Sequence, residues 1–123
     1  MKIAIASDDG KTLSLHFGRA KGFLIVEVEG TDVKSVNYIP NTITPHGRGE
    51  HHNEGEGHYA RHGIIIENLK DVDVVISGGM GRRLFDDLAE AGKKVFVTDE
   101  TDVMKAIELL LEGKLTNLED LLH

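Results

Sequence analysis

The run Lys2-Ile3-Ala4-Ile5-Ala6 is apolar at four consecutive positions. A strand wetted on one side alternates apolar and polar residues; one without that alternation needs cover on both faces. The chain therefore opens on a strand expected at the centre of a sheet with helices on either side. Ser7-Asp8-Asp9-Gly10 stops it with residues that tolerate a sharp turn.

Residues 11–21 read as a loop carrying His16-Phe17-Gly18-Arg19-Ala20. Two segments rich in β-branched and aromatic residues follow, Phe23 to Val28 and Val33 to Ile39, separated by a turn containing Gly30. They predict a β-hairpin, ended by Pro40 and Pro45. Residues 46–58 contain no apolar side chain and cannot join a core, so they form a mobile loop or one ordered by a ligand. From Tyr59 to Leu69 a helix is expected, though Gly63 and Ile64-Ile65-Ile66 are poor helix formers.

The second half alternates strand and helix. Asp71 to Ser77 predicts a buried strand, and Gly78-Gly79-Met80-Gly81 opens a helix over 82–91 with an apolar face of Leu84, Phe85, Leu88 and Ala91. Gly92 stops that helix, and Lys93 to Thr98 predicts another strand. A helix from Asp102 to Glu112 is expected to be capped at Thr101 and closed by Gly113, and Asn117 to cap a last helical turn ending at Leu122. Short loops pair the first three strands antiparallel, whereas helical crossovers add the last two in parallel. The expected fold is a single α/β domain over 1–123. Its mixed five-stranded sheet has three antiparallel then two parallel strands and helices on its faces, as in ribonuclease-H-like folds.

Composition narrows the function. A net charge of −7 argues against broad binding to phosphate backbones, and Arg82-Arg83 is the only adjacent arginine pair. With no cysteine, disulfides and any self-contained thiolate-ligated zinc or iron–sulfur site are excluded. The N-terminal apolar run is too short for a signal peptide or membrane span, so a cytoplasmic location without membrane contact is expected.

Histidine density is the strongest chemical feature: of 7 histidines, His46, His51, His52, His58 and His62 fall within one segment. Neutral imidazole is the commonest protein ligand for late transition metals, and several on one loop can converge on an ion. Glu50, Glu54 and Glu56 add oxygen donors. The bland reading is a solvated low-complexity loop. His16 follows the first strand, where the carboxyl ends of open α/β sheets form their ligand crevice. Gly78, Gly79, Gly81 and Arg82 either seat an anion at a helix N-terminus or serve only the geometry of a tight turn.

Other chemistries fit poorly. The third glycine of a dinucleotide fingerprint is replaced by Leu84. The first strand holds no carboxylate before Asp8 and Asp9, which excludes a two-metal nuclease. No nucleophile elbow occurs, and nothing pairs Ser7 or Ser77 with a base.

The assembled motifs resemble the dinitrogenase iron-molybdenum cofactor biosynthesis family, which includes NifX-like and NafY-like carriers and the C-terminal domain of NifB-like proteins. The N-terminal signature is the strand to Ala6, its acidic turn, His16-Phe17-Gly18-Arg19-Ala20 and the strand over 23–28. The second is Asp71-Val72-Asp73-Val74-Val75-Ile76-Ser77-Gly78-Gly79-Met80-Gly81. The resemblance implies a ribonuclease-H-like fold without nuclease residues, and a carrier of iron-molybdenum cofactor or its iron–sulfur precursor with His16 as first contact. Many relatives carry cysteine near the His/Gly loop, so this chain departs from them in its ligands.

The expected function is thus a non-catalytic binder of a metal or iron–sulfur-type cofactor. It would use His16, His46, His51, His52 and His58 as ligands, with proteins that donate or accept the cluster as partners. The chain is expected as a monomer or weak homo-oligomer that binds no nucleic acid. The alternative is a regulatory interaction module whose His-rich loop engages a protein without metal. An enzyme acting on a phosphorylated small molecule would rest on the glycine turn alone.

Overall fold

A computed structural model describes residues 1–41, 63 and 65–123. It contains β1 (Lys2–Ser7), β2 (Gly22–Glu29), β3 (Asp32–Pro40), β4 (Val74–Ser77), α1 (Arg82–Glu90), β5 (Lys94–Val97), α2 (Val103–Leu111) and a 3-10 turn (Glu119–Leu121). Residues 65–68 are also helical, the described end of the helix expected before β4. The five strands form one sheet in the order β3-β2-β1-β4-β5. β1 pairs antiparallel with β2 and parallel with β4, and β4 pairs parallel with β5. The hairpin and the two parallel crossovers are as the sequence predicts.

β1 is covered on both faces, as its unbroken apolar run requires. Ile3 and Ile5 join Leu24, Val26, Val74 and Ile76 against Val103, Ala106 and Ile107 of α2. Ala4 and Ala6 face the other way, toward Leu84 and Leu88 of α1 and toward Ile65 and Leu69. The small alanines let the elements on that side approach the sheet closely. β3 lies at the edge and is mostly exposed.

Two expected caps differ from those observed. The α2 cap is Asp102, whose carboxylate accepts from the Lys105 N–H at 2.8 Å. The Thr101 carbonyl instead accepts from Leu13 at 2.9 Å, so the backbone at 101 belongs to the loop contact and the helix starts one residue later. Asn117 caps no turn: its Oδ1 accepts from the Val97 N–H at 2.9 Å. That amide lies on an edge strand and needs a partner, a stronger demand than the short 3-10 turn makes. Among the described residues no helix is long and apolar enough to cross a membrane.

Candidate functional site

Because β1, β4 and β5 are parallel, Ser7, Ser77 and Val97 end at the same edge of the sheet. The chain leaving β1 runs over that edge. Ser14 N–H donates to the Ala6 carbonyl at 2.8 Å, and the Ser14 carbonyl accepts from Gly78 N–H at 2.8 Å. Phe17 N–H then donates to the Gly79 carbonyl at 3.1 Å. Leu13, Ser14, Phe17 and Ala20 are buried, with the Phe17 ring 5.0 Å from that of Phe23. Between these anchors Leu15 and His16 are left exposed. Apolar residues on both sides thus hold the loop down while its middle presents an imidazole to solvent. Ser14 fixes the His16 backbone further, its Oγ accepting from His16 N–H at 3.2 Å and donating to the His16 carbonyl at 3.1 Å.

The glycine corner explains this approach. A Cβ on Gly78 would lie 2.8 Å from the Ser14 carbonyl oxygen, and one on Gly79 would overlap the Leu15 carbonyl oxygen. Neither glycine has positive φ. Their requirement is proximity of backbones, not conformational freedom. Three amides at the corner are engaged within the chain. Gly78 donates to Ser14, Gly79 to Ser77 Oγ at 3.3 Å, and Arg82 to the His123 carbonyl at 3.2 Å. Of the expected anion seat at Gly78, Gly79, Gly81 and Arg82, the feature turned outward is the Arg82 side chain. It is half-exposed and 3.6 Å from Glu119, a surface pair worth about 0–1 kcal/mol.

The residue that sequence reasoning missed is His123. After α2 the chain returns along β5, Leu118 N–H donating to the Val97 carbonyl at 2.7 Å. Leu121 and Leu122 pack against the core, Leu122 bridges Met80, and His123 N–H donates to the Met80 carbonyl at 3.0 Å. The His123 ring then lies 5.7 Å from the ring of His16, the planes inclined by 64°. The signal was present as Leu115, Leu118, Leu121 and Leu122 ahead of a histidine, but nothing local says which edge such a tail covers.

His46, His51, His52, His58 and His62 lie outside the described residues, as do Glu50, Glu54 and Glu56. Among the described residues no group of three or more metal-ligating side chains gathers. The Ser7 and Ser77 hydroxyls bond to neighbouring backbone, Ser7 donating to the Thr12 carbonyl at 2.6 Å and Ser77 to that of Gly79 at 2.7 Å. One hollow, of about 570 Å³, lies at the opposite end of β1 beside Met1, Lys2 and Asp73.

Comparison with known proteins adds four findings. The model of the family described as dinitrogenase iron-molybdenum cofactor matches residues 1–113. An uncharacterized protein of Methanocaldococcus jannaschii is 33% identical over 119 residues, covering 97% of this chain and 92% of that protein. The FeMo cofactor biosynthesis protein NifB of Sinorhizobium fredii is 29% identical over 106 residues, covering 86% of this chain but only 20% of NifB. In fold, the apo form of the orange protein from Desulfovibrio gigas superposes with a TM-score of 0.68 at 23% identity, over 95% of this chain and 92% of that one.

Proposed function

This chain belongs to the dinitrogenase iron-molybdenum cofactor family, and from that premise we propose that it is a non-catalytic carrier of an iron–sulfur-type metal cluster. The observation that carries the proposal is the exposed imidazole of His16, held on a pinned loop at the carboxyl edge of the sheet. Among the described residues its ring nitrogens have no hydrogen-bond partner, so a lone pair is free for a metal. The cluster is cargo, bringing its own sulfides; with no cysteine in the chain, attachment runs through nitrogen. Few protein ligands, at an exposed position, suit a cargo that must be handed on.

The neighbours of His16 support the same reading. The exposed Leu15 offers apolar contact next to His16 in the loop. The His46, His51, His52 and His58 segment would add ligands once cargo arrives, and the partners would be proteins that donate or accept the cluster. We keep the ribonuclease-H-like reading of the sheet, supported by its β3-β2-β1-β4-β5 order. The buried apolar β1 gives no foothold for nuclease metals. The test is anaerobic purification without a polyhistidine tag, followed by elemental analysis and an absorption spectrum. A stoichiometric iron–sulfur-type cluster is expected, at least tenfold weaker in His16→Ala. Equal affinity in that variant would remove His16 from the site.

A further inference from the structure

The geometry points to a second ligand: we infer that His16 and His123 form a two-imidazole chelate at the sheet edge. The inference rests on the carrier reading for the identity of its cargo, but not for the chelate itself. A ring nitrogen sits about 2.0–2.1 Å from a bound metal ion, which puts the ring centre about 3.2 Å from it, so two imidazoles on one tetrahedral ion have centres roughly 5.2 Å apart. The observed separation is 5.7 Å. Small side-chain rotations close that difference without moving the backbone. Both residues are exposed, and among the described residues neither ring has a hydrogen-bond partner to displace.

The two histidines are 107 positions apart, yet each backbone is fixed independently to the same corner. His16 is held through Ser14 and through Phe17 on Gly79. His123 is held on both sides, its N–H on Met80 and its carbonyl on Arg82. A Cβ on Gly79 would meet the Leu15 carbonyl on one side and lie 3.5 Å from His123 Cε1 on the other. The missing side chain at 79 is therefore what admits the His16 loop to a corner where His123 already lies within van der Waals reach. Ligands positioned before the metal arrives lose little freedom on binding it, which is the condition for chelation to exceed two separate weak contacts. Two ligands also leave coordination positions open for donors that the cargo or a partner supplies.

The test uses Zn²⁺ as probe on the full chain with His46, His51, His52, His58 and His62 replaced by Asn, so that only His16 and His123 remain. Imidazole resonances are followed by NMR. Both rings are expected to shift together along one curve at one equivalent, and His16→Ala or His123→Ala each to weaken binding at least tenfold. Separate curves for the two rings, or a smaller loss in either variant, would overturn the chelate. The joint-curve criterion needs no substitution at either position and so holds even where a variant folds poorly. Joint zinc binding by a chain that takes up no cluster would leave the pair standing and remove the carrier reading. Cluster uptake with zinc titrating on separate curves would do the reverse.

Discussion

Gly79→Ala is the most informative single substitution, because the missing side chain admits the loop that carries His16. The added methyl would overlap the Leu15 carbonyl oxygen, a backbone atom that no rotamer change can move aside. Loop 13–17 must shift, weakening Phe17 N–H to Gly79 carbonyl (3.1 Å) and Gly78 N–H to Ser14 carbonyl (2.8 Å). Overpacking of this kind costs about 1–3 kcal/mol, and each hydrogen bond lost adds about 1 kcal/mol. A loss of roughly 3–5 kcal/mol is large against a total stability of about 5–15 kcal/mol. Urea denaturation should show it as a lower midpoint at unchanged slope. Gly18→Ala is the control: a Cβ there meets nothing within 4 Å and φ is not positive, so its midpoint should stay within about 0.5 kcal/mol of the parent. If Gly79→Ala is as stable as Gly18→Ala, the close approach of loop and corner is not what holds His16 in place.

Two further outcomes test the local reasoning. Asp9 is held down to about 2, first by the Thr12 backbone N–H and then by that of Lys11. Since the folded value lies below the ordinary carboxylate range, its contribution is full above about pH 4 and fades as pH falls through about 2. The urea midpoints of the parent and Asp9→Asn should therefore differ at pH 5 and draw together as pH falls through about 2; a gap that widens in acid would contradict this. Asp102→Ala removes the acceptor for Lys105 N–H and should cost about 1 kcal/mol of stability by the same assay, while Thr101→Val should cost less. Equal losses would return the cap to Thr101.

Sequence periodicity exposed the sheet because its signals are local. The unbroken run Ile3 to Ala6 required cover on two faces, and the segments around Gly30 could pair with one another directly. The strand-helix alternation after Asp71 left parallel crossovers as the short route back to the sheet. His16 was also visible, since it follows the first strand and so falls at the ligand edge of an α/β sheet. The partnership with His123 was not, for it depends on a tail whose leucines would suit any apolar surface. The glycine corner looked alike under either of its readings. Only the positions of Ser14 and Leu15 show that its glycines at 78 and 79 are needed for backbone approach, with their amides already occupied. The shift of a cap from Thr101 to Asp102 has the same origin, a long-range contact from Leu13 that outweighs a local preference.

The claim that cargo is held through imidazole nitrogen can be read directly by X-ray absorption at the iron edge, on chain loaded anaerobically with an iron–sulfur cluster. A light-atom shell near 2 Å with the outer scattering of imidazole is expected, diminished in His16→Ala. Failure to load, or a loaded spectrum with sulfur alone around iron, would contradict it.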